Sequence, residues 1–284
     1  MFRPGIFIAF WLSLTLTTSS GRPLRGDEPP ESATDRPPQT LDELLLFRPA
    51  KFPRGRWDER PQTCREVWFE SADKTRIHGW YCEADQPAET ILYCHGNSGN
   101  VTLYGPWMEM MRKERRLSIL VFDYRGYGRS EGTPTIEGVL ADARAARTEL
   151  ARLANRKPEQ LIVWGRSLGG AVAVQIAAEA APRALVLEST FSSFRDVAQV
   201  HQPRLAWLVP DERLNSVLAI RQVRCPILQS HGTADQVVPY DLGRKLHDAA
   251  PEPKTLLTFE GYDHFRQPDI FENHLDDFVK TLPR

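Results

Sequence analysis

One serine stands in the surroundings that a nucleophile requires. Ser167 is the centre of a Gly-x-Ser-x-Gly motif at residues 165–169, between an apolar run at 161–164 and an alanine- and valine-rich stretch at 168–180. The run predicts a buried strand and the stretch a helix, so the motif forms a tight turn in which glycine leaves room beside the serine. The hydroxyl would lie at the end of the strand, next to the free N–H groups of a helix N-terminus.

The serine needs two partners, because its hydroxyl is too weak an acid to attack unaided. His264 follows the last predicted strand, at 255–259, and Asp235 follows the predicted strand at 226–230. Both lie in loops beyond strand ends, where a parallel sheet gathers functional side chains. An imidazole ordinarily titrates near about pH 6.5, which suits proton exchange with a serine. We predict a catalytic triad in the chain order Ser167, Asp235, His264.

Other titratable residues also lie at strand ends, and one of them is an alternative to Asp235 as the acid of the triad. Glu188 ends the predicted strand at 184–188 and competes with Asp235 for the role of the acid. His95 and His231 also lie at strand ends, and we interpret both as groups that hold loops by hydrogen bonds.

The loop after the first parallel strand is a candidate for binding an oxyanion. It reads His-Gly-Asn-Ser-Gly-Asn at 95–100. The backbone N–H of Asn97, together with that of Leu168, would bind the negative oxygen of a tetrahedral intermediate. An ordinary glycine-rich turn is the alternative, whereas a dinucleotide site needs Gly-x-Gly-x-x-Gly, which this loop lacks. We predict no cofactor and no metal.

Alternating strands and helices predict the α/β class from residue 90 onward. Continuous apolar strands between helices are typical of a mostly parallel sheet covered on both faces. Before them, residues 67–69 and 77–82 predict an antiparallel pair. Residues 191–224 would build a small cap of short helices, in which Phe194, Trp207 and Leu208 could line an acyl pocket or pack the cap. The predicted strands lie at 90–94, 118–123, 161–164, 184–188, 226–230 and 255–259, and the predicted helices at 101–116, 136–153, 168–180, 240–249 and 269–282.

The composition of the chain bears on its partners and on the roles of its cysteines. The chain has 284 residues, a formal net charge of -1 and four cysteines. Its lysines and arginines are scattered, which argues against a nucleic-acid partner. Cys64 and Cys82 flank the antiparallel pair and could face each other, but the sequence does not fix the register, so it leaves a disulfide between them undecided. Cys94 and Cys225 lie in apolar strands and are interpreted as core residues.

The N-terminus predicts export. Arg3, an apolar run at 6–16 and small residues up to Ser20 are typical of a signal peptide at 1–20, and the run is shorter than the roughly 20 residues that span a bilayer. A proline-rich linker follows at 21–40, and the folded domain at 41–284. We expect an exported protein, periplasmic or extracellular, with no stable membrane span in the mature chain. An uncleaved N-terminal membrane anchor is the alternative.

Together these motifs resemble a known family. From about residue 44 to the C-terminus the chain resembles the α/β-hydrolase superfamily, most of all its ABHD-type and serine aminopeptidase-like single-domain hydrolases. The resemblance implies an α/β-hydrolase fold with a small cap, hydrolysis without a cofactor, and a structural loop that contains Asp123 and Arg125. The motifs that carry it are Leu-Phe-Arg-Pro at 46–49, His-Gly-Asn-Ser-Gly-Asn at 95–100, Asp-Tyr-Arg-Gly-Tyr-Gly-Arg-Ser-Glu-Gly at 123–132 and Gly-Arg-Ser-Leu-Gly-Gly at 165–170, with the loops of Asp235 and His264.

The expected reaction is cleavage of a carboxylic ester or thioester through an acyl-enzyme on Ser167, with a small-molecule or lipid-like acyl ester as substrate. An amide or peptide hydrolase is the alternative among enzymes. It would need an acidic group in the cap to hold a free amine, and Asp211 and Glu212 are the close acidic pair there. A catalytically silent binding protein on the same scaffold is the alternative outside enzymes, and the complete triad pattern argues against it.

Overall fold

An eight-stranded, mostly parallel sheet forms the centre of the domain. The computed structural model describes residues 39–265, 268 and 270–282, so the predicted signal peptide and residues 21–38 of the predicted linker lie outside the described residues. The strands, numbered along the chain, are β1 (Cys64–Glu70), β2 (Arg76–Cys82), β3 (Glu89–Cys94), β4 (Leu117–Phe122), β5 (Ile162–Arg166), β6 (Ala184–Glu188), β7 (Ile227–Gly232) and β8 (Lys254–Phe259). Across the sheet they follow the order β1-β2-β4-β3-β5-β6-β7-β8. Neighbouring strands are parallel except where β2 pairs antiparallel with β1 and with β4, which confirms the predicted α/β class.

Helices cover both faces of this sheet. They are α1 (Leu41–Leu46), α2 (Gly105–Arg115), α3 (Ile136–Leu153), α4 (Leu168–Glu179), α5 (Phe194–His201), α6 (Ser216–Ile220), α7 (Tyr240–Ala249) and α8 (Ile270–Thr281). Buried residues of α2 and α8 belong to one hydrophobic core and those of α3, α4 and α7 to another, while successive strand residues such as Leu92 and Tyr93 enter opposite cores. Among residues 39–265 and 270–282, no helix is long and apolar enough to cross a membrane.

The predicted helix at 101–116 was wrong at its start. Val101–Leu103 instead forms a short 3-10 turn, which is capped by the side chain of Asn100. α2 begins only after this turn, with Pro106 in its first turn. Because proline has no N–H, it cannot continue the hydrogen bonds of a preceding helical turn, but it is well suited to begin a new helix.

The register of the β1–β2 hairpin determines whether Cys64 and Cys82 can form a disulfide bond. Cys64 lies directly opposite Cys82 in the register, and a disulfide bond joins the two residues, whose Cα atoms are 4.1 Å apart. Cys94 and Cys225 are free and buried, as expected for core residues.

A segment ahead of the sheet packs against the loop predicted to bind an oxyanion. α1, which was not predicted, leads into residues 46–54, which we call the strap. Within the strap, Arg48–Pro49 pairs in parallel with Ser98–Gly99. The side-chain amide of Asn100 donates hydrogen bonds to two carbonyl oxygens of the strap, at 3.0 and 2.7 Å. The strap and the loop at 95–100 are therefore one hydrogen-bonded unit.

Candidate active site

Ser167 occupies the turn between β5 and α4, at the carboxyl end of the sheet. Its φ of +53° lies in the left-handed region that residues with side chains rarely adopt. A Cβ atom built on Gly165 would lie 2.2 Å from the carbonyl oxygen of Gly169, and one built on Gly169 would lie 1.9 Å from that of Cys94. Packing therefore requires both glycines of the motif, and the turn holds the half-buried serine in a strained conformation.

The structure brings the three predicted triad residues together. His264, in the loop after β8, has its Nε2 3.1 Å from Ser167 Oγ and its Nδ1 2.7 Å from a carboxylate oxygen of Asp235. Both Asp235 and His264 are buried. When Nδ1–H donates to the carboxylate, Nε2 is left to accept the proton of the serine hydroxyl. This arrangement can activate a serine as a nucleophile.

Asp235 is held as a carboxylate by a set of donors. The backbone N–H groups of Val237 and Val238 donate to one of its oxygens at 2.9 and 2.8 Å, and His231 Nε2 lies 3.3 Å from the other. Burial raises the pKa of Asp235, but the hydrogen bonds from His231, His264 and the backbone outweigh burial and hold this pKa well below its usual value. The charge that would stabilise an imidazolium is therefore present at neutral pH.

The two histidines interpreted as loop-holding groups both contact loop carbonyls. His231 Nε2 lies 2.8 Å from the carbonyl oxygen of Val238, and His95 Nδ1 lies 2.7 Å from that of Gly96. Both rings are buried, and burial lowers the pKa of His95, which keeps its imidazole neutral. Each ring fixes a loop that carries a predicted site residue.

Glu188, the alternative acid, has another partner. It ends β6 as a buried residue, and its carboxylate accepts a hydrogen bond from the indole N–H of Trp164. Burial raises the pKa of Glu188 to about 7, against the opposing effect of the Arg166 guanidinium. The structure places Asp235, and not Glu188, on the imidazole of His264.

Two backbone N–H groups beside Ser167 are free to bind an oxyanion. Neither Asn97 nor Leu168 donates its N–H to an acceptor within the part of the chain that the structure describes, whereas the N–H of Ser167 itself donates to Glu188 O at 2.9 Å. The loop at 95–100 lies close, since a Cβ atom built on Gly96 would be 3.6 Å from Ser167 Cβ. The two predicted donors thus flank the serine.

Arg166 is a site residue that the sequence analysis did not single out. Its guanidinium donates a hydrogen bond to the backbone carbonyl oxygen of His264. Arg166 occupies the variable position before the serine of the motif, so no residue-type requirement draws attention to it. The only sequence signal is a charged residue at the end of an otherwise apolar strand.

The predicted cap consists of α5, a 3-10 turn at Ala206–Leu208 and α6. At the end of α5, His201 Nε2 lies 2.8 Å from the carbonyl oxygen of Val237, in the loop that carries Asp235. Phe194 is buried in the core, whereas the side chain of Trp207 is 70% exposed. Phe194 therefore packs the cap onto the domain, and Trp207 faces solvent.

Asp123 and Arg125 have the structural surroundings that the family resemblance implies. The buried guanidinium of Arg125 lies 2.7 Å from Asp142 and 2.8 Å from Asp73. Asp123 accepts a hydrogen bond of 2.7 Å from the N–H of Val101. These contacts join the loop after β4 to α3, to the β1–β2 hairpin and to the segment that follows the oxyanion loop.

Comparison with known proteins identifies the family. Residues 85–220 match the family model described as serine aminopeptidase, S33. The chain is 32% identical over 234 residues to the α/β-hydrolase domain-containing protein WAV2 of Arabidopsis thaliana, with 76% of each chain covered. It is also 32% identical over 254 residues to the lysophosphatidylserine lipase ABHD12 of Danio rerio, covering 76% of this chain and 64% of that relative.

A solved structure supports the same fold. The esterase Pf2001 of Pyrococcus furiosus matches with a TM-score of 0.66 and 18% identity over 84% of this chain and 98% of its own. At that identity the match speaks for the fold alone. With the sequence relatives above, it leads to one conclusion: the chain belongs to the α/β-hydrolase superfamily.

Proposed function

We propose that this α/β-hydrolase is a serine esterase or thioesterase that works through an acyl-enzyme on Ser167. The observation that carries the proposal is the position of His264, which lies 3.1 Å from Ser167 Oγ on one side and 2.7 Å from Asp235 on the other. A histidine that links a serine to a carboxylate at these distances is the arrangement that serine nucleophiles require.

In the first half of the proposed reaction, Ser167 Oγ attacks the carbonyl carbon of the substrate while His264 Nε2 takes the hydroxyl proton. The negative carbonyl oxygen of the tetrahedral intermediate accepts hydrogen bonds from the N–H groups of Asn97 and Leu168. Collapse of the intermediate breaks the bond to the alcohol or thiol, which leaves with the proton from His264. The acyl group then stays on Ser167 as an ester.

In the second half, water attacks the acyl-enzyme and gives its proton to His264. The same two N–H groups bind the second oxyanion, and its collapse returns the proton to Ser167 and releases the carboxylic acid. Asp235 keeps its negative charge throughout and stabilises the imidazolium that forms in each half.

Two features favour an ester or thioester over a peptide. In the cap, the Asp211 carboxylate is engaged by the guanidinium of Arg195, so the acidic pair of Asp211 and Glu212 does not offer two unpaired charges to a free amine. Among the similar proteins, a relative at 32% identity is named as a lysophosphatidylserine lipase. We therefore propose a small-molecule or lipid-like acyl ester as the substrate class.

The test is turnover of a matched substrate panel by the wild type and by Ser167→Ala. We expect hydrolysis of p-nitrophenyl esters or acyl thioesters, weaker or no release from aminoacyl anilides, and a loss of about 10⁴-fold or more in Ser167→Ala. Ser216→Ala is the control, because Ser216 is buried and its hydroxyl has no hydrogen-bond partner in the described part of the chain. Ester turnover that survives in folded Ser167→Ala would refute the proposal, and preference for the anilides would favour the peptidase alternative.

A further inference from the structure

The backbone of the oxyanion loop is held by side chains at each of three successive carbonyl groups. Tyr124 Oη donates to the carbonyl oxygen of His95 at 2.9 Å, and His95 Nδ1 lies 2.7 Å from that of Gly96. Tyr127 Oη lies 3.0 Å from the carbonyl oxygen of Asn97. The N–H of Asn97 donates to no acceptor among residues 39–265, 268 and 270–282.

The hydroxyl of Tyr127 joins this loop to the strap. It accepts a hydrogen bond of 3.2 Å from the N–H of Arg48 and can give its own proton to either oxygen of Asn97, Oδ1 at 2.9 Å or the carbonyl at 3.0 Å. The ring is buried against those of His95 and Tyr124, with centroids 5.5 and 5.8 Å away. Burial raises the pKa of Tyr127, so the hydroxyl keeps the proton that it donates.

The side chain of Asn97 faces the strap. Its Nδ2 donates to the carbonyl oxygen of Leu46, and its Oδ1 accepts a hydrogen bond of 3.0 Å from the N–H of Arg48. Both ends of the amide are therefore engaged in fixing the loop. The side chain of Asn97 and the hydroxyl of Tyr127 therefore hold the backbone on either side of the Asn97 N–H.

We infer that Tyr127 is a positioning residue for the reaction proposed above, and that its hydroxyl, with the side chain of Asn97, fixes the Asn97 N–H toward the oxyanion. The inference rests on the proposed function, since it concerns a donor that acts only in the transition state. An oxyanion donor is worth about 10²–10³ in kcat, and a shift of a fraction of an ångström forfeits part of it.

The test replaces Tyr127 with phenylalanine, which keeps the ring and removes the hydroxyl. Arg48 N–H retains an acceptor in Asn97 Oδ1, so we expect the strap to stay in place and the melting temperature to change little. Active sites are first counted by titration with a fluorophosphonate. Per titrated site, kcat for an ester should fall about tenfold or more, with KM within about twofold of the wild type.

Inhibition by phenylboronic acid distinguishes a positioning role of Tyr127 from a merely structural role. Its tetrahedral adduct on Ser167 places an oxygen where the oxyanion forms, so its inhibition constant should rise in Tyr127→Phe in parallel with the loss of kcat. The pH at which the rate is half-maximal should stay unchanged, because the imidazole and its acid are untouched. Tyr81→Phe is the matched control, since Tyr81 is also buried, lies on β2 and makes none of the hydrogen bonds that hold the loop at 95–100.

The outcomes separate this inference from the proposed function. A wild type that neither turns over esters nor reacts with the fluorophosphonate would overturn both. An active wild type with an unchanged kcat per titrated site in Tyr127→Phe would overturn the positioning role alone. If Tyr127→Phe does not fold, Asn97→Ala decides, because it keeps the N–H and removes the bonds to Leu46 and Arg48. A wild-type kcat and boronate affinity in that variant would count against the inference.

Discussion

The guanidinium of Arg166 donates a hydrogen bond to the backbone carbonyl oxygen of His264. Because Arg166 directly precedes Ser167, this bond ties the turn that carries the serine to the loop that carries the imidazole. Burial lowers the pKa of Arg166, but the negative or polar groups around it together outweigh burial and raise this pKa, so the guanidinium keeps its charge. These groups are Glu188, Tyr93, Tyr104 and Asp235. The distance between the serine and the histidine is thus set partly by a side chain that reaches across from one loop to the other.

Arg166→Met should weaken catalysis by loosening the loop of His264. Methionine fills similar space but donates no hydrogen bond, so the imidazole would sample positions farther from Ser167 Oγ. We expect kcat/KM to fall about tenfold to a hundredfold with the domain still folded. Arg144→Met, which removes a surface pair with Glu179, serves as the control. A variant with the wild-type kcat/KM would mean that the bond to His264 is dispensable.

The identity of the acid can be tested by a pair of amide substitutions. Asp235→Asn leaves the size of the side chain unchanged but favours the wrong tautomer of His264, and we expect a loss of about 10⁴ in kcat. Glu188→Gln should stay within about tenfold of the wild type, because the carboxylate of Glu188 contacts Trp164 and not the imidazole. Steady-state kinetics of both purified variants decide the matter, and the reverse order of losses would make Glu188 the acid.

Glu188 should also leave a signature in the pH dependence of stability. Burial raises its pKa from 4.5 to about 7 in the folded domain. Between these values the folded state binds more protons than the unfolded state, so the contribution of Glu188 to stability falls as the pH rises through this window and is constant above it. The full effect amounts to at most about 3 kcal/mol.

Glu188→Gln removes this titration and keeps an oxygen for the Trp164 indole. We therefore expect the free energy of unfolding of the variant, relative to that of the wild type, to increase from pH 5 to pH 7 by at most about 3 kcal/mol. Urea unfolding at several pH values measures it. A difference that is flat across this range would show that Glu188 is not buried in the way the structure describes.

The disulfide should contribute to stability through the unfolded state. It closes a loop with a sequence separation of 18 residues, for which chain entropy gives about 3 kcal/mol. We expect the double variant Cys64→Ala, Cys82→Ala to lose stability of this order in urea unfolding while retaining ester turnover, since the hairpin lies at the edge of the sheet away from Ser167. A non-reducing peptide map that finds both thiols free would contradict the pairing.

The elements that sequence predicted well are those with strong local signals. α3 and α7 have the predicted bounds, because apolar periodicity is clear in both and Thr135 caps α3. The buried strands were recognisable as continuous apolar runs between helices. Ser167 was predicted from the Gly-x-Ser-x-Gly motif between a strand and a helix. Asp235 and His264 were predicted from their loops after parallel strands, because such loops gather at the same edge of the sheet.

What sequence could not give depends on contacts between distant segments. α1 has six residues, too few for a helical periodicity, and it is followed by a strap whose partners lie about fifty positions away in the loop at 95–100. The register of the hairpin, and with it the disulfide, is a pairing that local pattern does not determine. The hydrogen bonds from Arg166 to His264 and from Tyr127 to Asn97 join loops that are distant in the sequence, so no local pattern indicates them.

The most direct test of the central claim is covalent labelling of the folded domain by a fluorophosphonate, with the adduct located by mass spectrometry. The probe reacts with a serine only when a base has activated it. We expect one adduct, on Ser167, that is absent in His264→Ala and in heat-denatured protein. A folded wild-type domain that takes up no probe, or that carries the adduct on another serine, would contradict the assignment of Ser167, Asp235 and His264 as the catalytic triad.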